Sequence, residues 1–79
     1  MPEGSYTTTL FKAGRGRIAQ KVGEEAVETA VAAMQGDARA VTSEAADLFY
    51  HMTVLLVEQG LSWNDVHEEL RKRAGKKST

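Results

Sequence analysis

Residues 23–30, GEEAVETA, place Glu24, Glu25 and Glu28 in an otherwise apolar stretch, and no base follows them within a turn. Further along, Glu44 and Asp47 repeat the three-residue spacing of Glu25 and Glu28. On a helix, residues three apart lie about 60° from one another, so each pair shares a face. The arc holding Glu44 and Asp47 also carries Val41, Leu48 and Leu55, so these acids point where the helix is otherwise greasy. A carboxylate in such a position must pair, take up a proton or bind a cation, because desolvating its charge is otherwise expensive. Pairing within the helices looks poor: Glu24 and Glu28 are like charges one turn apart, and Lys21 precedes Glu25 in the less favourable base-then-acid order. The C-terminal segment offers a contrast, with Glu68 before Lys72 and Glu69 before Arg73 at the favoured spacing.

Convergent carboxylates without a thiolate form a hard-oxygen site suited to Mg²⁺, or Mn²⁺ in its place, rather than zinc or copper. Glu25, Glu28, Glu44 and Asp47 are the candidate metal ligands, and Glu24, Glu25 and Glu28 the candidates for orienting or deprotonating a water. A divalent ion reverses the local sign, so the natural ligand of such a site is a phosphate chain. Lys21, one turn before Glu25, is placed to contact a phosphate, and Lys12, Arg15 and Arg17 to close over it. The implied chemistry is metal-assisted attack of water on phosphorus. The bland alternative is a solvated acidic face on a strong helix former. His51, one turn after Asp47, is either a partner of that acid or a hydrogen-bonded core histidine. Phe49, Tyr50 and Trp63 read as core or interface. Gly23, inside a helix beside the acids, hints at close approach by another backbone or a ligand.

The elements that must position these residues follow from periodicity. Residues 1–15 mix Gly, Ser and Thr with one Pro and two aromatics, without a sustained period, and are expected to form an arm or loop. Apolar residues then recur at helical spacing from Ile18 to Met34, Gly36 supplies a stop and Asp37 an N-cap. Helices are expected over 16–35, 37–59 and 63–73, the last opened by Ser62 and Asp65 in a capping-box pattern and the second ended by Gly60. The fold class expected is all-α, an antiparallel helical hairpin plus a third helix in one domain spanning 1–79. The helix over 37–59 is apolar all round, so a homodimer is expected to complete the bundle.

Composition narrows the partners. The chain has 79 residues and a net charge of −1, with scattered Lys and Arg rather than the basic footprint of a nucleic-acid binder. It has no cysteine, which excludes disulfides and thiolate zinc sites. No apolar run reaches membrane-spanning length and no signal-peptide pattern opens it, so a soluble, cytoplasmic protein with a small-molecule substrate, no nucleic acid and no membrane is expected.

The ordered segments SYTTTLFKAG, KVGEEAVETAVAA, GD, EAADLFYHMTVLL and GLSWNDVHEEL resemble those of phosphoribosyl-ATP pyrophosphohydrolases of histidine biosynthesis, within the all-α nucleotide pyrophosphohydrolases. The family's acidic signature, ExxE followed by ExxD, maps onto Glu25, Glu28, Glu44 and Asp47, with Glu24 as an extra leading acid. The resemblance implies hydrolysis of phosphoribosyl-ATP between its α and β phosphates, giving phosphoribosyl-AMP and pyrophosphate, with Mg²⁺ held by the carboxylates in a dimer. It also implies substrate contacts at Ser5, Tyr6, Thr7 and Lys21. Relatives commonly carry a further helix before the stretch matching PEGSYT, with which this sequence opens. Two other readings stay open: a broader nucleoside triphosphate pyrophosphohydrolase, or a non-catalytic helical dimer binding nucleotide or metal.

Overall fold

A computed structural model describes residues 3–76, with side chains described for residues 6–75. It consists of four helices in chain order, α1 (Glu3–Ala13), α2 (Arg15–Met34), α3 (Ala38–Glu58) and α4 (Trp63–Lys76). No strand occurs among the described residues. The α2–α3 pair dominates the packing, and α1 lies more lightly against α2. Arg15, at the start of α2, bonds through Nε to Glu58 at the end of α3 at 3.1 Å, which fixes the pair as antiparallel. None of the described helices is long and apolar enough to cross a membrane.

The helix boundaries have local causes. The Asp37 carboxylate accepts from the Ala40 amide at 3.0 Å, satisfying one of the free donors at the start of α3. Gly36, at φ 72°, adopts the left-handed conformation that stops α2, with its amide on the Ala33 carbonyl. Asp65 reaches back to accept from the Ser62 amide at 2.9 Å, opening α4. Trp63 then holds the start of α4 on α3, stacking on Phe49 and donating Nε1–H to the Thr53 hydroxyl.

The first helix corrects the expected arm at 1–15. Three consecutive threonines and Gly4 give residues 3–13 little intrinsic helicity. Tertiary contacts supply what propensity lacks. Leu10 is buried with Ile18 and Val54 in the core, and Tyr6 packs against that cluster. Gly14, at φ 98°, turns the corner between α1 and α2, a conformation that side-chain-bearing residues rarely adopt.

The larger surprise is which face of α2 turns inward. Its buried residues are Ile18, Glu25 and Ala32, spaced by two turns along one line. The apolar arc goes outward instead: Val27 is 62% and Met34 86% exposed, and Val31 is exposed too. On α3, Phe49 and Val57 likewise face outward while His51 and Val54 are buried. The chain therefore folds its acid inside and leaves much of its grease outside. The single chain leaves that apolar face uncovered.

Candidate active site

Glu25 and Glu28 on α2 and Glu44 on α3 meet where the antiparallel helices face one another. Each contributes a carboxylate oxygen to a group whose members all lie within 4.8 Å of one another. Glu25 is only 7% exposed, and its Oε1 is buried without a hydrogen-bond partner. Glu44 is half-buried and Glu28 reaches solvent. Such a group cannot stay fully ionised without a counter-charge. The structure carries the mark of that conflict: the Glu44 carboxyl is pushed above its ordinary value, chiefly by a hydrogen bond with Glu28. Desolvation and the negative charges of Glu28, Glu25 and Asp47 add to it.

A proton is one answer to the crowding, and a hard cation is the other. Three oxygen donors from two helices, one of them buried and unsatisfied, fit an oxygen-preferring divalent ion. The orphaned Glu25 Oε1 is the observation that tests the fit, since a carboxylate oxygen shut away from water needs a positive partner.

Raised protonation of Glu44 has a consequence for the metal-free protein. Its folded state holds this proton more tightly than the unfolded chain, so the stability it lends is fully present below the unfolded value and is lost as pH rises through the folded one. In chelator, the melting temperature of the wild type should therefore fall relative to that of Glu44→Gln as pH climbs above the ordinary carboxylate range. Thermal melts of the two proteins across pH check this. Parallel curves would show that Glu44 is not under strain.

Not every candidate joins the cluster. Asp47 is exposed and lies outside the tight group, although its charge is felt at Glu44. Glu24 is exposed and points elsewhere: it accepts from Gln20 Nε2 at 2.9 Å, lies 3.7 Å from Lys21 Nζ, and its carboxyl is held below the usual range chiefly by the Gln20 bond. The expectation of poor pairing within the helices is thereby corrected at Glu24 and, through Lys21, at Glu25. Lys21 Nζ also stands 3.6 Å from Glu25 Oε2, because the unfavourable base-then-acid order is worth only a few tenths of a kcal/mol. It covers one oxygen of Glu25 and leaves the other bare. In α4, Glu68 pairs with Arg71 rather than Lys72, while Glu69 takes both Lys72 and Arg73.

The expected substrate contacts divide as well. Tyr6 and Thr7 turn inward: the Tyr6 hydroxyl meets His51 Nε2 at 2.7 Å, and Thr7 hydrogen-bonds to the Tyr50 hydroxyl. His51 Nδ1 lies 2.8 Å from the Asp47 carbonyl, which can only accept, so that nitrogen carries a proton and Nε2 is left facing the Tyr6 hydroxyl. His51 is thus a buried histidine clasping α1 to α3, one turn after Asp47. The Ser5 side chain lies outside the described residues. Lys12 and Arg17 are exposed. Arg15 is engaged by Glu58, and its ten-residue separation from Glu25 places it about 15 Å along α2 from the cluster. Sequence reasoning missed Gln20 and Glu58 as partners. The four-residue step from Gln20 to Glu24 was a legible signal; the contact from Arg15 to Glu58 was not, since it depends on the hairpin.

With this geometry in view, comparison with known proteins finds the same kind of chain. A profile of phosphoribosyl-ATP pyrophosphohydrolase matches residues 1–74, which include every acid of the cluster. The phosphoribosyl-ATP pyrophosphatase of Metallosphaera sedula is 55% identical over 73 residues, covering 92% of this chain and 78% of that protein. The phosphoribosyl-ATP pyrophosphatase of Zymomonas mobilis is 54% identical over 74 residues, 94% of this chain and 69% of that protein. The histidine biosynthesis bifunctional protein HisIE of Thermotoga maritima is 52% identical over 73 residues, 92% of this chain but 37% of its own longer length. The extent of the profile match and the identity to full-sized relatives together establish that this chain belongs to the phosphoribosyl-ATP pyrophosphohydrolase family.

Proposed function

We propose that the chain hydrolyses phosphoribosyl-ATP between its α and β phosphates in histidine biosynthesis, releasing phosphoribosyl-AMP and pyrophosphate, with Mg²⁺ as cofactor and Mn²⁺ able to replace it. The observation that carries this reading is the convergence of Glu25, Glu28 and Glu44 around a buried, unsatisfied oxygen. Membership of the family supports the substrate. A divalent cation held by these three acids, with Asp47 beside them, would supply the positive charge that draws in a phosphate chain and polarises it.

The protein's own groups divide the remaining work. Glu25, buried and partly neutralised by Lys21, is fixed as a holder. Glu28 is the member of the group open to solvent, and so is the one able to orient a water and take its proton as the oxygen attacks phosphorus. The bond from phosphorus to the bridging oxygen then breaks, and pyrophosphate leaves. Lys21 sits close enough to the group to meet a phosphate oxygen once a cation has relieved its pairing with Glu25. The test is incubation of the metal-loaded protein with phosphoribosyl-ATP, with ATP in parallel. Pyrophosphate rather than single phosphates should appear, and from phosphoribosyl-ATP in preference. No turnover of phosphoribosyl-ATP would overturn the reading, and equal turnover of ATP would point to a broader pyrophosphohydrolase.

The working unit on this reading is a homodimer. Support comes from the outward apolar residues Val27, Val31 and Met34 on α2 and Phe49 and Val57 on α3, which a second copy would cover. Val31→Glu should therefore shift the protein to a monomer in sedimentation equilibrium while wild type sediments as a dimer. An unchanged association state would place the interface elsewhere.

A further inference from the structure

Lys21 stands between two carboxylates, one inside the molecule and one at its rim. Its Nζ lies 3.6 Å from Oε2 of the buried Glu25 and 3.7 Å from Oε1 of the exposed Glu24. Both distances exceed the roughly 2.8 Å of a charge-assisted hydrogen bond. The ammonium is thus held between the two acids by their charge, and little directed bonding has to be broken to move it.

The two acids differ in what they offer. Glu24 is fixed at the rim, where its Oε2 accepts from Gln20 Nε2 at 2.9 Å. Glu25 is unsatisfied, with Oε1 buried and without a partner and with oxygens of Glu28 and Glu44 within 4.8 Å. Among the described residues, Lys21 is the one base in ion-pair contact with this group. One ammonium against three carboxylates leaves the group short of positive charge. A divalent ion settling at Glu25 Oε1 would then face Lys21 across a single carboxylate. Like charges at that range repel strongly where little water screens them. The lysine is the one to yield, since its four-carbon stem is flexible and Glu24 receives its ammonium at the rim.

We propose that Lys21 is a displaceable counter-ion. In the metal-free protein it supplies part of the charge that Glu25 needs. When a divalent ion settles on Glu25, Glu28 and Glu44, Lys21 withdraws to Glu24, and its freed ammonium takes the phosphate chain that the ion attracts. Cation and anion therefore strengthen one another's binding, because one movement of Lys21 serves both. The identity of the anion rests on the pyrophosphohydrolase reading, whereas the competition between Lys21 and the cation rests on the contacts around Glu25.

Lys21→Met tests this, removing the charge while keeping an apolar stem and a good helix former. Calorimetric titration of metal-free protein with Mn²⁺ should show the variant binding about tenfold tighter than wild type. Titration of the Mn²⁺-saturated proteins with manganese pyrophosphate should show the variant binding about tenfold weaker. Thermal melts should show the same exchange: the variant melts below wild type in chelator, where Glu25 has lost its partner, and level with it in saturating Mn²⁺. A variant that melts below wild type in both conditions would mark Lys21 as a structural ion pair and overturn the proposal. Mn²⁺ affinity unchanged or lowered in the variant overturns it too, as does unchanged pyrophosphate affinity. A wild type that fails to hydrolyse phosphoribosyl-ATP while these opposite shifts hold would sink the proposed reaction and leave the counter-ion standing. Turnover by wild type with no gain of Mn²⁺ affinity in Lys21→Met would do the reverse.

Discussion

Glu28→Gln is expected to lower kcat for phosphoribosyl-ATP by about 10³-fold, equivalent to about 4 kcal/mol of barrier. Two duties meet in this side chain: it is part of the carboxylate group and it is the part open to water. Glutamine has the same shape and a similar helix propensity, so α2 should persist and the circular dichroism spectrum should match that of wild type. Removing one charge from the crowd also relieves Glu44, whose raised carboxyl owes most to Glu28. In chelator the variant should therefore be at least as stable as wild type while being nearly inactive. Pyrophosphate release and thermal melts on the same preparation check both halves. Retention of a tenth or more of wild-type activity would remove Glu28 from the chemistry. Asp47→Asn should be milder, about tenfold, because Asp47 stands outside the tight group and acts on it through its field.

Ile18→Ala is expected to have the largest effect on stability. Ile18 is 0% exposed, the one fully buried large side chain among the described residues, and it packs with Leu10 and Val54. That small cluster joins three helices, α1, α2 and α3, so a cavity there loosens all of them at once. Truncating a buried isoleucine costs about 3 kcal/mol, which in a domain of this size lowers the melting temperature by about 15 °C. Thermal melts at matched protein concentration measure it, concentration being fixed because dimerisation would add to apparent stability. A shift of only a few degrees would mean that the core is held chiefly by the interface between copies.

The convergence of Glu25, Glu28 and Glu44 was legible in the sequence because it combines two rules that do not depend on tertiary detail. Three-residue spacing puts Glu25 and Glu28 on one face, and a short connection at Gly36 and Asp37 forces the next helix, with Glu44, back alongside. The caps at Asp37 and Ser62 were legible for the same reason, being local. The first helix was not. Its threonines argue against helix, and the contacts that hold it, from Tyr6 to His51 and from Leu10 to Ile18, span the chain. A weak clue was present in Tyr6 and Leu10, one turn apart on a common face. The orientation of α2 was hidden for a deeper reason. Hydrophobic patterning assumes that apolar faces turn inward, whereas here a buried acid, Glu25, shares the inner line with Ile18 and Ala32 while Val27 and Met34 face out. Sequence rules of this kind are expected to fail where a polar group takes an interior position. The pairing of Lys21 with Glu25 was misjudged on a preference of a few tenths of a kcal/mol, too small to decide a contact that proximity offers.

The measurement that bears most directly on the carboxylate group is a crystal structure of the protein soaked with Mn²⁺, with anomalous scattering recorded to locate the ion. A peak bounded by carboxylate oxygens of Glu25, Glu28 and Glu44, and lost in Glu28→Gln crystals soaked alike, is the expected result. Manganese found only at other acids, with Glu25 Oε1 still without a partner, would contradict it.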